Sequence, residues 1–248
     1  MIPVSDSRTP RRRFPVLTYG LIAVNILVFF YELTLSEPRL DAFITAYGVV
    51  PIAVTAGRDI PPGAPSPVWL TLFTSQFLHG GWAHFLGNML YLWIFGDNVE
   101  DRMGHLKYLV FYLLCGWTAS YAHIWSSPGS SVPSIGASGA IAGVLGAYIT
   151  LYPGARVVTI LPLGIFVQLI QVPAVFFLGL WFLQQFLSGT LSLAARTAQT
   201  GGVAWWAHIG GFAAGFVLVW LFKKKVRQPL PRDVWWQEVQ QHGRRRGL

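Results

Sequence analysis

The stretch RRRFPVLTYGLIAVNILVFFYEL, residues 11–33, sets three arginines just before a mainly apolar run that begins at Pro15. A helix needs about 20 apolar residues to cross the hydrocarbon core, so residues 15–33 are sufficient for one span. The run is longer than a signal-peptide core, and no A-x-A-like cleavage site follows it, so it reads as a retained helix. Apolar runs recur at 83–98, at 106–125 with many aromatics, at 138–152, at 165–187 and at 204–222. The fourth is short and rich in Gly and Ala, which suits an inner helix packed on all sides by its neighbours. Only 11% of the 248 residues are charged and 53% are hydrophobic. A soluble domain carries roughly 25% charged residues, so a single soluble globule is excluded, as is a disordered chain. The one cysteine, Cys115, excludes a disulfide scaffold and a thiolate metal cluster. The expected fold is an all-α membrane protein, a six-transmembrane-helix bundle with a short central fourth helix.

Charge gives the orientation. With six spans both termini lie on one side, and that side receives Arg8, Arg11, Arg12 and Arg13, the eight basic residues from Lys223 to Arg246, Arg102 and Lys107 between spans two and three, and Arg156 after span four. Only Arg39, Arg58 and Arg196 fall on the other side. Such an asymmetry marks the cytoplasmic face, so both termini are expected there. The net charge of +8 is then a topology signal, and no nucleic-acid partner is implied. The chain divides into a basic cytoplasmic N-terminus at 1–14, a membrane domain at 15–222 and a basic cytoplasmic tail at 223–248. The loop from Ser36 to Trp82, with Pro38, Pro51, Pro61, Pro62, Pro65 and Pro67 among apolar stretches, is expected to lie partly in the outer interface.

Polar side chains at membrane depth are costly and need a reason. In this topology spans two, four and six all run inward, so His84, Ser138 and His208 open them at a common depth near the outer surface. His84 and Asn88 are four apart and share a helical face. Gly139 with Gly143, and Gly211 with Gly215, form G-x-x-x-G faces that let two helix backbones approach closely. A Ser beside a His base is the minimum for an activated nucleophile, and a helix N-terminus favours a developing oxyanion. The residues themselves thus suggest a serine hydrolase inside a membrane.

The ordered set Phe77-Leu78-His79, His84 with Asn88, Gly136-Ala137-Ser138-Gly139, and Ala207-His208-Ile209-Gly210-Gly211 with Gly215 resembles the rhomboid family of intramembrane serine proteases. The likeness runs from about Trp69 to Phe222 and includes Gly96 and Glu100-Asp101-Arg102-Met103-Gly104. It implies a rhomboid-like six-helix bundle that hydrolyses peptide bonds in or near transmembrane helices of substrate proteins. By the resemblance Ser138 is the nucleophile and His208 the general base. His84, Asn88 and the Ser138 backbone N–H form the oxyanion hole, and Gly136, Gly139, Gly211 and Gly215 support the site. Glu100 and Arg102 match positions that tie loops at the cytoplasmic end. Leu70 replaces an arginine that often follows the outer-loop tryptophan, and Ala142 replaces a residue that stacks on the base histidine in some members. His208 must therefore be held in another way.

Other readings are weaker. A metalloprotease needs ligands such as H-E-x-x-H, which are absent, so no metal and no cofactor are implied. A transporter would spread polar residues along a path instead of gathering them at one end. The alternative in keeping with the resemblance is a catalytically inactive relative that binds transmembrane helices as a chaperone or degradation adaptor. Such proteins usually lack the Ser or the His. His79 is read as bracing a loop or, equally, as contacting substrate or admitting water; His123 is read as structural, His105 and His242 as remote, Asp97 as too deep for a third catalytic member, and Cys115 as core. Transmembrane proteins are the expected substrates and the lipid bilayer the expected medium. The compact chain, with no appended domain or transit peptide, suggests a bacterial inner membrane.

Overall fold

The computed structural model describes residues 2–6, 13–57, 60–163, 166–194 and 203–224. Much of the basic N-terminal segment, and the tail from residue 225 onward, lie outside the described residues. Helices α1 (Val16–Thr34), α2 (Glu37–Tyr47), α3 (Pro51–Ala56), α4 (Thr71–Thr74), α5 (Trp82–Met103), α6 (His105–Ser126), α7 (Ser138–Leu151), α8 (Ala174–Ala194) and α9 (Trp205–Phe222) follow in chain order. Among them α1, α8 over Ala174–Leu193 and α9 are long and apolar enough to cross a membrane by length and composition, and α7 is a shorter apolar helix. Helices α5 and α6 have 22 residues each, about 33 Å at 1.5 Å per residue. Part of what lowers the hydropathy of α5 is turned inward, because Asn88, Asp97, Asn98 and Glu100 are buried.

The expected runs and the observed helices agree within one or two residues for α1, α6, α7 and α9. Helix α5 continues past Asn98 to Met103, stopping where Gly104 takes φ +83°. The polar residues at 97–102 look like a loop in sequence, but they are helical and several find partners inside. Glu100 accepts hydrogen bonds from the N–H groups of Leu17 (2.9 Å) and Thr18 (2.7 Å) and from Thr18 Oγ1 (2.6 Å). A carboxylate from α5 thus caps the N-terminus of α1, where the helix leaves unpaired donors.

The chain is mostly helical, and the all-α expectation needs one correction. Two strands stand where helix is expected, β2 (Arg156–Leu163) paired antiparallel to β3 (Phe166–Pro173). Strand β1 (Ile2–Asp6) adds to its other edge, Ile2 opposite Ile160 and Asp6 opposite Val157, giving the order β1-β2-β3. The expected start of span five at 165 is therefore wrong, and α8 begins at Ala174 after Pro173. A short uncharged run rich in Val and Ile reads equally as a strand or as the start of a span. Asp6 ties the sheet to the bundle, accepting from Asn98 Nδ2 and Tyr148 OH at 2.8 Å each.

Helix α7 is the axis of the bundle. Every residue from Gly139 to Tyr148 is buried. A Cβ on Gly211 would collide with the Gly139 carbonyl, one on Gly215 with the Gly143 carbonyl, and one on Gly146 with the Phe212 carbonyl. Backbones of α7 and α9 are thus in direct contact, which only glycine permits. Helix α6 joins the same contact: a Cβ on Gly139 would come within 2.6 Å of Ala119 Cβ, and one on Gly143 would press into Cys115. Cys115 is accordingly buried core. Outward faces of α1, α8 and α9 expose Leu27, Phe30, Phe176, Leu180, Val217 and Leu221, an apolar surface suited to lipid.

Candidate active site

Ser138 is the first residue of α7, and no side chain caps that helix start. Its own N–H and those of the next two residues have no carbonyl one turn back to bond, so this end of α7 carries free donors and the positive end of the dipole. The preceding loop is fixed by backbone pairs: Val49 N–H to Ser134 O at 2.9 Å, Ser134 N–H to Val49 O at 2.8 Å, and Gly136 N–H to Ser75 O at 2.8 Å. Gly136 has φ +126°, and a Cβ there would lie 2.6 Å from His84 Nε2. Any larger residue would strain the turn and push His84 away.

The close approach of α9 brings His208 over the start of α7, with Nε2 2.8 Å from Ser138 Oγ. His84, in the first turn of α5, accepts a long hydrogen bond from the Gly80 N–H at Nδ1 (3.4 Å), which leaves its proton on Nε2, the nitrogen that faces Gly136. One turn further along α5, Asn88 is buried, and its Nδ2 donor has no partner among the described residues. His84, Asn88, Ser138 and His208 all line one cavity of about 930 Å³. Asn88 is the chemically telling member, since an unused buried donor is costly unless something else accepts from it.

Two contacts to His208 were not legible in the sequence. Gln185 of α8, buried, places Oε1 2.7 Å from His208 Nδ1. Trp181, one turn earlier, lies against the imidazole with ring centroids 5.9 Å apart and planes 36° from parallel. An aromatic on α8 therefore packs on His208, and α7 carries only Ala142 at the position that sequence comparison singled out. The signal available was the pair Gln184-Gln185 inside an otherwise apolar run. Trp205 adds an edge-on contact at 6.4 Å.

The remaining polar candidates separate clearly. His123 lines the same cavity. His79 is buried behind it, packing on Phe29, His84 and Phe85, while its N–H donates to Glu32 at 3.1 Å. His105 bonds Glu100 at 2.6 Å at the opposite end of α5. Asp97 is thirteen residues along α5 from His84, about 20 Å of helix, and accepts from the Asn98 N–H. His242 lies outside the described residues. Trp69 is exposed, with Leu70 beside it just before α4.

A family model described as a rhomboid domain matches residues 66–225. "Rhomboid-like protein 11, chloroplastic" of Arabidopsis thaliana is 31% identical over 172 residues, 68% of this chain and 58% of that protein. "Rhomboid protease GluP" of Bacillus subtilis is 37% identical over 134 residues, 54% of this chain and 24% of that protein. "Rhomboid protein 1, mitochondrial" of Saccharomyces cerevisiae is 27% identical over 222 residues, 87% of this chain and 56% of that protein. The chain spans little more than half the length of two of these relatives and about a quarter of the third. Their names point to chloroplasts and mitochondria as well as to a bacterium, so kinship does not select a bacterial inner membrane.

Proposed function

This chain belongs to the rhomboid family, and from that premise we propose that it is an intramembrane serine endopeptidase acting on transmembrane proteins. The observation that carries the reading is the 2.8 Å contact of Ser138 Oγ with His208 Nε2 at the uncapped start of α7. Ser138 attacks the scissile carbonyl carbon while its proton passes to His208 Nε2. The negative oxygen that forms is received by the Ser138 N–H, His84 Nε2–H and Asn88 Nδ2, donors in place before the charge develops. His208 then returns its proton to the leaving amine, and water hydrolyses the acyl-enzyme with His208 again as base. No metal enters this sequence, and Gly136, Gly139, Gly211 and Gly215 serve it by geometry alone.

The setting follows from the same reading. Helices α1 and α5–α9 cross the bilayer as a six-helix bundle, the termini lie in the cytoplasm, and the Ser138 end faces the opposite side. In a bacterial cell that membrane is the inner one. A helical peptide bond is shielded by its neighbours and its carbonyl is already bonded, so a substrate helix must unwind locally to reach the cavity. The test is labelling of detergent-solubilised protein by a fluorescent fluorophosphonate. Wild type is expected to label and Ser138→Ala and His208→Ala are not. An unlabelled wild type, or equal labelling of Ser138→Ala, overturns the catalytic assignment of Ser138.

A further inference from the structure

We propose that Gln185 is a positioning residue for His208, the neutral counterpart of the carboxylate that orients the histidine in a soluble catalytic triad. The inference rests on the assignment of His208 as base. A neutral imidazole has one N–H and one bare nitrogen, and only a bare Nε2 can take the proton of Ser138 Oγ. The proton must then sit on Nδ1, where it needs an acceptor. Gln185 Oε1 stands 2.7 Å from Nδ1, and Ser138 Oγ stands 2.8 Å from Nε2, so the three groups form one line of hydrogen bonds through the ring.

The choice of an amide has a physical reason. An ionised carboxylate at this depth would be expensive to bury, whereas a glutamine supplies the same acceptor without a net charge. The helix presenting it is built for the purpose. Trp181, Gln185 and Gly189 follow at four-residue spacing and form one seam along α8. Trp181 sets the plane of the imidazole, Gln185 its tautomer, and Gly189 accepts at its carbonyl from Trp206 Nε1 at 3.3 Å. Gln184, the adjacent and chemically identical side chain, is exposed on another side of α8. It is an internal control.

The experiment uses the full chain in detergent, with Gln185→Leu, Gln185→Glu and Gln184→Leu. Two readouts are taken: the fluorophosphonate labelling rate, and 15N spectra of histidine-labelled protein with the His208 signals assigned by their loss in His208→Ala. Wild type is expected to show His208 protonated on Nδ1. Gln185→Leu is expected to move proton occupancy towards Nε2 and slow labelling about 10- to 100-fold, less than the roughly 10²–10⁴ that the whole of general acid–base catalysis supplies, because His208 itself remains. Gln185→Glu keeps an oxygen able to accept at that point, whether the carboxyl is ionised or not, and is expected to keep Nδ1–H and most of the rate, and Gln184→Leu to change neither. Wild-type His208 with its proton on Nε2 overturns the proposal without any variant, so a failure of Gln185→Leu to fold leaves it testable. Equal losses in Gln184→Leu and Gln185→Leu also overturn it. If wild type does not label while the tautomer still follows residue 185, the protease reading fails and the positioning stands. If it labels while the tautomer ignores residue 185, the reverse holds.

Discussion

At the scale of single residues, Asn88 carries the sharpest expectation. Its Nδ2 is buried, in a side chain that lines the same cavity as Ser138, and makes no hydrogen bond among the described residues of the resting protein, so it stabilises the fold little through that atom. If its acceptor is the oxygen of the tetrahedral intermediate, the bond exists only when that charge does. Asn88→Ala should then lower kcat about 10²–10³-fold, the usual cost of one lost oxyanion donor, with little change in KM. Single-turnover cleavage of a quenched fluorescent transmembrane peptide measures this, and an unchanged rate would remove Asn88 from the site. The face shared by His84 and Asn88 is readable from sequence, because helical spacing alone dictates it. The meeting of Ser138 with His208, seventy residues apart, is readable only through topology and two glycine faces. Gln185 is not readable. An apolar run fixes that a helix exists but not its rotation, and Gln184 and Gln185 differ by about 100° around the axis.

At the scale of elements, the glycine contact between α7 and α9 holds the catalytic geometry, so its disruption should affect fold and site together. A side chain at Gly215 would meet the Gly143 carbonyl, a backbone atom that cannot step aside without moving α7. Gly215→Ala should therefore destabilise by at least the 1–3 kcal/mol typical of overpacking. A methyl group added at Gly20 on α1 would meet nothing within 4 Å, and Gly20→Ala should be neutral or slightly stabilising. Thermal midpoints in one detergent compare the two, and equal midpoints would mean that α7 and α9 do not touch at Gly215. The same elements mark where sequence reading stops. The G-x-x-x-G faces are legible because small residues at that spacing have one main use in membranes. The β2–β3 pair is not, because 157–194 is uncharged throughout and hydropathy weighs a Val-rich strand and a span alike.

At the scale of the whole molecule, the two ends of the bundle do different work. Glu100 lies sixteen residues from His84 along α5, about 24 Å by helix rise, so it is remote from the chemistry. Its two oxygens accept from Leu17 N–H, Thr18 N–H and Thr18 Oγ1, and it bonds His105 Nδ1, in a buried position that joins α1, α5 and the start of α6. Glu100→Gln replaces one acceptor oxygen with an NH2 group, which must face donors whichever way the amide turns. Buried donors left unmatched cost roughly 1–3 kcal/mol, so the thermal midpoint should fall by several degrees. The fluorophosphonate labelling rate of the folded fraction, measured well below that midpoint, should stay within about twofold of wild type, since no hydrogen bond at Ser138 or His208 involves this end. A large loss of labelling with an unchanged midpoint would mean that the α1–α5 junction controls the dyad from a distance. A lowered midpoint with retained labelling would establish that stability is anchored at one end of the bundle while the reaction is confined to the other.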